Sequence, residues 1–578
     1  MEDKEHKQCR FDTELIDTVF DCVIPYIYPN DLNSVSLVSR KLYELDSMTR
    51  KHVTIQNCYS VPPSCLVKRF PNLESLTLKG YPRAGMFSLE SFKWGGYVTP
   101  WVEEIGMRLK RLECVRFRRM IVRDHDLEVL AGMCGGRIKV LKLDSCWGFS
   151  TDGLLHIGKK CSGLRILSLE KSFIDENGGE WLHELALRNK CLESLNYCLT
   201  RLDKYDYEDL VLIAKNCSES LVSLKLRGCP WKYVAEVFSY AVNLEEFDGR
   251  PYIDEGEEYI GVKFPPKMRR LTWSNWNTLD IPIIQSFEHQ LTKLNLICPF
   301  FGSDEHCVLI HKCLNLEELY TTDAIEDSGL QVASHFCKNL RKIKITRCWL
   351  EGTVSHIGLT DLAKGCLELE CLHVNIKDIK NETLECIGAN LKKLRDFYLG
   401  LFHEVEEVCE LPLDNGVRAL LTGCTKLVKL GIDLRSGTRG LTDVGWGNIG
   451  KYGQNVVDMN LGFCRDTDAG LQELSKGCPK LQKLKMSGCD FSQQALANFV
   501  LNVTSLRYLW VQDYYAFENG HDIFAMVRPF WKMELIKYQS NVADQQKPPS
   551  LLAYYSVAEQ RKDIPDNVIP LYPYVQFE

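Results

Sequence analysis

Gly445-Trp-Gly-Asn-Ile-Gly450 matches G-x-G-x-x-G, the spacing of a loop that cradles the phosphates of a dinucleotide. That chemistry requires a strand ahead of the motif and a helix opening on it. Here the frame from Asp443 to Gly450 repeats the one from Asp152 to Gly158, so these glycines are expected on a recurring helix. No P-loop, H-E-x-x-H or paired C-x-x-C occurs. The 13 histidines are scattered, and His52, His156 and His373 fall in repeating frames where packed or solvated rings are expected rather than ligands. Twenty-five cysteines are present, but nothing orients one as a nucleophile, so an enzyme is not expected. A chain of this length is not a small disulfide scaffold; reduced thiols are expected.

The cysteines mark a period. Cys161, Cys313, Cys337, Cys366, Cys424 and Cys478 each precede a leucine by three residues, and each leucine opens L-x-x-L-x-L or a close variant. Leu164-Arg-Ile-Leu-Ser-Leu169 and Leu481-Gln-Lys-Leu-Lys-Met486 are examples. Such openings recur from Ile138 to Leu506 at the period of leucine-rich repeats. The alternating part reads as a strand with its leucines on one face. The part that follows, as in Asp468–Cys478, reads as a helix with apolar steps of three and four. No single repeat can bury its own face, so an α/β solenoid curved into a horseshoe is expected. Small apolar cysteines at the helix ends suit its core.

Length and charge set the remaining bounds. At roughly 150 residues per domain, 578 residues suggest about four domains, yet few boundaries are visible. With 70 basic and 77 acidic residues the formal charge is −7, so strong general affinity for nucleic acid is not expected. No apolar run approaches the roughly 18 residues of a membrane helix. Met1–Asp12 is polar, so a secretory signal is not expected either. The organisation read here is a helical module over 1–55, a solenoid over 56–540 and a capping segment over 541–578.

Residues 1–55 do not follow the repeat. Glu14–Pro25, Asp31–Arg40 and Lys41–Asp46 read as short amphipathic helices. Asn33-Ser-Val-Ser-Leu-Val-Ser-Arg-Lys-Leu-Tyr43 resembles the core of an F-box, without the usual Leu-Pro opening and with Leu42 where Trp is common. The resemblance implies docking to the Skp-type adaptor of a cullin ubiquitin ligase. Leu15, Val19, Val35, Leu37 and Val38 become its interface or core residues. A three-helix cap that only seals the solenoid is the alternative.

Four segments overrun the repeat: Lys79–Trp101, Arg347–Leu362, Leu401–Ala419 and Leu434–Val444. Such insertions collect on one face of a solenoid. The first carries Arg83, Phe87, Trp94 and Trp101, and reads as an exposed aromatic and arginine-rich binding loop. Arg69-Phe-Pro-Asn-Leu, Trp94-Gly-Gly-Tyr-Val-x-Pro-Trp101 and Phe149-Ser-Thr-Asp-Gly-Leu154 resemble the plant auxin and jasmonate receptor family of F-box leucine-rich-repeat proteins. Pro82–Phe87, Leu411–Arg418, Leu506–Gln512 and Leu552–Arg561 point to its jasmonate branch.

The resemblance implies a substrate receptor of an SCF ubiquitin ligase. A jasmonoyl-isoleucine-like hormone would join its pocket to a repressor degron, over an inositol polyphosphate. It places Arg83, Ala84, Phe87, Leu89, Lys344 and Trp510 at the hormone, with Arg83 pairing the carboxylate. It places Lys79, Met86, Arg119 and Lys342 at the inositol phosphate. Lys344, Tyr398 and Ser487 stand where the family has arginines, Asn375 and Asp433 where it has tyrosines, and Asp458 where it has a degron-facing tryptophan. A nuclear protein, present in the cytoplasm as well or not, is the expectation. An F-box scaffold recruiting its substrate without a hormone is the competing one.

Overall fold

The computed structural model describes residues 27, 29–80, 94–178, 180–202, 206–252, 263–273, 281, 287–297, 301–347, 354–401, 412–434, 440–462, 467–489, 491–512, 514, 528–537 and 548–571. Their strands form a 21-stranded sheet beside a small two-stranded one. From His52–Ile55 and Ser75–Lys79 onward, each repeat adds one parallel strand, ending at Tyr508–Val511. Alternation does what period two requires. Leu76, Leu78, Val115, Phe117, Leu484 and Met486 are buried in the core, while the residues between them face the inside of the curve. Each fully buried leucine contributes about 1.5–3 kcal/mol, which only the stack of neighbours makes available.

Three recurring devices hold the stack. First, an aspartate at the start of one helix caps the next. Asp414 accepts from the Thr442 amide at 2.9 Å and its hydroxyl at 2.5 Å. Asp124 does so for Ser150, Asp327 for Ser355 and Asp468 for Ser492. Second, glycines let helices approach. A Cβ on Gly445 would lie 2.3 Å from the Asp414 carboxylate, and one on Gly477 would lie 1.9 Å from the Gly450 carbonyl. The G-x-G-x-x-G match is therefore a packing feature of the helix Asp443–Tyr452, in line with the repeat reading. Third, cysteines at helix ends donate to carbonyls of the preceding repeat. The Cys366 thiol reaches the Cys337 carbonyl at 3.6 Å, and Cys478 reaches Ile449 at 3.4 Å. Burial pushes these two thiols up to about 12, so they are poor nucleophiles. Among the described residues the cysteines are free.

The solenoid closes on itself. Tyr508–Val511 turns the sheet antiparallel, pairing with Ser550–Tyr555, which pairs with Trp531–Ile536; Val568–Leu571 forms the far edge. This end meets the first repeats. Glu534 accepts from the Trp94 indole at 2.6 Å and from Tyr554 at 3.1 Å, and pairs with Arg561 at 2.9 Å. The Arg561 guanidinium lies 4.6 Å from the Trp94 ring centre, 4.8 Å from that of Tyr59, and donates to the Trp94 carbonyl. Gly95 has φ +98, and a Cβ there would sit 2.8 Å from Arg561, so glycine is required on both counts.

This corrects one expectation. Trp94 is fully buried and Trp101 is 3% exposed. Neither is stacking surface on an open loop: Trp94 lies in the seam of the ring, where Glu534 and Tyr554 from strands of the far end meet it, and Trp101 is buried in the helix Thr99–Arg108. Residues 81–93, 348–353, 402–411 and 435–439 of the long insertions lie outside the described residues, but the strands they follow are placed. The insertions leave the parallel strands Ser75–Lys79, Lys342–Thr346, Asp396–Leu401 and Lys429–Asp433 at their C-terminal ends.

Candidate functional site

The N-terminal helices Pro29–Val35 and Arg40–Thr49 lie ahead of the first repeats. Ser39 caps the second by accepting from the Leu42 amide at 3.2 Å. Asp46 is fully buried and salt-bridged to Arg50 at 2.8 Å and Arg69 at 3.1 Å. Arg69 also lies over the Tyr43 ring. Arg69 ends the solenoid helix Pro63–Arg69, so the module is pinned to the first repeats rather than tethered. At its outer end Val35 is half-buried, while Leu37 is 86% exposed and Val38 74% exposed. Two adjacent aliphatic side chains left this far in water are the kind of surface a partner covers. Leu15 and Val19 lie outside the described residues.

Inside the ring, strand register stacks side chains in layers. One layer runs Lys342, Cys371, Asp396, Lys429, Asp458, Lys483, Tyr508. The next runs Tyr320, Lys344, His373, Tyr398, Gly431, Asn460, Lys485, Trp510. Closure brings the first and last repeats together. Lys79 and Lys483, far apart in sequence, both donate to the Gln56 side-chain amide oxygen Oε1, at 2.9 and 3.2 Å. Burial and the charges of Lys483, Arg118, Arg119 and Lys429 bring Lys79 down to about 8. Burial also lowers Lys483, with Lys485, Arg119 and Lys429 adding to it. Arg119 has φ +55, as do the equivalent turn residues Ser145, Lys171 and Leu199 at similar values, so this is the turn of the early repeats.

These cations crowd one another at a cost that a bound polyanion would remove. Lys79 and Arg119 were expected at such a site. Gln56, Arg118, Lys429, Lys483 and Lys485 were not singled out. Lys429, Lys483 and Lys485 carried a signal as x positions of L-x-x-L-x-L on the strands, whereas Gln56 and Arg118 follow the last apolar residue of their strands and carried none. Lys342 sits in a different company: it is 3.6 Å from Glu318, with its ammonium 5.0 Å from the Tyr320 ring centre. Met86 lies outside the described residues, as do Arg83, Ala84, Phe87 and Leu89.

The positions that depart from the family pattern are built into the wall. The Tyr398 hydroxyl donates to the Asp433 carboxylate at 3.2 Å, and Asp433 is 2% exposed. Asn375 is buried and donates to the Ile345 carbonyl at 3.2 Å. Ser487 is buried one layer above Lys485. Lys344 lies 5.9 Å from the Tyr320 ring centre, and Trp510 is 3% exposed. Asp433 thus meets a phenol across the neighbouring strand, which tempers the repulsion it would offer an acid in the bore.

Comparison with known proteins fits this arrangement. Residues 12–52 match the F-box model, and 71–117 match the transport inhibitor response 1 protein domain. Coronatine-insensitive protein 1 of Arabidopsis thaliana is 46% identical over 98% of this chain and 99% of its own. The chain belongs to the coronatine-insensitive family of F-box proteins. The rice homolog 1b (Oryza sativa subsp. japonica) is 43% identical over 94% of both chains, and the more distant GRR1-like protein 1 of Arabidopsis is 31% identical over 95% of this chain and 96% of its own. As a coronatine-insensitive protein, the chain is an F-box leucine-rich-repeat receptor of the SCF type, whose F-box engages a Skp-like adaptor. No helix among the described residues is long and apolar enough to cross a membrane.

Proposed function

We propose that the protein recruits a transcriptional repressor for ubiquitination when a jasmonate-class acid fills the rim of the solenoid, and that it is not itself catalytic. The cation cluster at Lys79 carries this reading, because burial and the neighbouring cations lower Lys79 and Lys483 in a closed bore, and a bound polyanion would relieve that repulsion. An inositol polyphosphate meets that need. Arg83 and Lys344 are the residues proposed to take the hormone carboxylate, with Ala84, Phe87, Leu89 and Trp510 as apolar wall. Lys79, Met86, Arg119 and Lys342 are proposed for the polyanion, joined by Lys429 and Lys483. Lys344 offers a point charge rather than a bidentate fork. With arginines absent at Tyr398 and Ser487, two ion contacts worth about 1.5–3 kcal/mol each are missing. Weaker capture of jasmonoyl-isoleucine than a fully arginine-lined pocket would give is therefore expected. The nucleus, with or without a cytoplasmic pool, is the proposed location.

The Tyr398–Asp433 bond favours a second reading, recruitment without a hormone, since it places a carboxylate near the acid-binding side. Titrating jasmonates against the purified adaptor complex separates the two. Saturable binding that requires Arg83 supports the first, and no binding of any jasmonate supports the second.

Two further results are expected. Leu37→Asp with Val38→Asp should weaken adaptor binding at least tenfold in a pull-down while leaving the melting temperature unchanged, because both side chains are exposed. Unaltered capture would place the adaptor elsewhere. Inositol hexakisphosphate binding near pH 8.5 should take up protons, since Lys79 titrates near 8 in the free protein and an anion favours its ammonium form. Affinity should fall as pH rises through about 8. Calorimetry in buffers of different ionisation enthalpy reads the uptake, and a buffer-independent heat would remove Lys79 from the site.

A further inference from the structure

Cys371 and His373 alternate on the strand Cys371–Ile376, so both face the bore, and Asp396 is the register partner of Cys371 on the next strand. The Cys371 sulfur, a His373 ring nitrogen and an Asp396 carboxylate oxygen all lie within 4.8 Å of one another. His373 Nε2 is 2.8 Å from Asp396 Oδ1, while the other carboxylate oxygen, Oδ2, is 2.9 Å from the Lys429 ammonium. The two carboxylate oxygens are therefore committed in different directions, one toward the imidazole and thiol, one toward the lysine. We propose that Cys371, His373 and Asp396 form a binding site for a divalent ion of the zinc class.

The donor set selects the ion. One thiol, one imidazole and one carboxylate suit zinc or cobalt, whereas calcium and magnesium need several oxygens. In a tetrahedral site, neighbouring donors stand about 3.3–3.8 Å apart when each lies about 2.0–2.3 Å from the metal. To reach that, the 2.8 Å Nε2–Oδ1 pair opens by about half an ångström and the sulfur, within 4.8 Å of both, stays or closes in. The charges also balance. On binding, the thiol proton leaves to solvent, the imidazole proton moves to Nδ1, and Nε2 offers its lone pair. Thiolate and carboxylate then neutralise the ion, so Lys342 and Lys429 on the flanking strands face a neutral unit. Lys429 would remain on Oδ2 and hold the carboxylate's orientation, as partners of metal-bound carboxylates do. The fourth position opens to the bore. His373, expected from sequence to be packed or solvated, gains a ligand's role.

Cobalt titration of the full chain, purified with its Skp-type adaptor, tests this directly. One equivalent should give thiolate-to-cobalt charge-transfer absorption that added zinc abolishes. Cys371→Ser should remove the band, His373→Gln should weaken cobalt affinity at least about tenfold, and Cys65→Ala, an exposed cysteine far from the cluster in sequence, should change nothing. No band at one equivalent, or a band surviving in Cys371→Ser, would overturn the proposal. Should Cys371→Ser fail to fold, X-ray absorption of the unaltered zinc-loaded protein decides. A shell of one sulfur near 2.3 Å with nitrogen and oxygen near 2.0–2.1 Å supports the site, and any other sulfur count rejects it.

Discussion

Arg561→Met is expected to lower the free energy of unfolding the closed ring by about 3–5 kcal/mol, because it leaves Glu534 buried without its cation. The side chains of Arg561 and Glu534 are 3% and 5% exposed. Glu534 would keep the Trp94 and Tyr554 donors but lose its counter-charge. The guanidinium stack on Trp94 and Tyr59 would go as well. The cost should be concentrated at the seam. Amide exchange should speed up in Trp531–Ile536 and around Trp94–Val98, where the two ends meet, more than in the central repeats. Denaturant unfolding reads the total. Arg561→Met with Glu534→Leu should recover only part of the loss, since it removes the unpaired buried charge but leaves the Trp94 indole and the Tyr554 hydroxyl without their acceptor. A single variant as stable as the parent would mean that the ends are not held by this pair.

Lys79→Glu with Lys483→Glu is expected to reduce inositol hexakisphosphate retention by about 100-fold to 10,000-fold. The estimate takes two charge-assisted contacts at about 1.5–3 kcal/mol each, converted at about 1.4 kcal/mol per tenfold. The two residues share Gln56 from opposite ends of the solenoid, so each reversal also weakens the other's environment for an anion. Native mass spectrometry of the adaptor complex measures retention. A change below about threefold would place the polyanion elsewhere in the bore.

The repeat was legible because period two and period 3.6 alternate along the chain, and Cys366 or Cys478 punctuates each turn. The G-x-G-x-x-G match could be assigned to a helix for the same reason. Of the N-terminal helices, the one read over Lys41–Asp46 is part of Arg40–Thr49, whereas the one read over Asp31–Arg40 ends at Val35, because Ser39 turns to cap the next helix. What could not be read was contact between distant parts. Trp94 and Arg561 are 467 residues apart, and nothing local says that an aromatic loop will be roofed by the other end. Lys483 and Lys429 carried a visible signal as residues between leucines, but their facing Lys79 depends on closure. The pairing of Tyr398 with Asp433 was hidden because each looked like an isolated departure; register makes the two near neighbours. Cys371, His373 and Asp396 were hidden similarly, since only strand pairing adds the aspartate. Arg83, Ala84, Met86, Phe87 and Leu89 rest on the sequence alone.

The most direct measurement is capture of a jasmonate-signalling repressor degron by the purified chain and adaptor, with and without jasmonoyl-isoleucine. Capture that rises with the hormone, and that Arg83→Ala abolishes, is the result expected. Equal capture in both conditions would contradict a hormone-gated receptor.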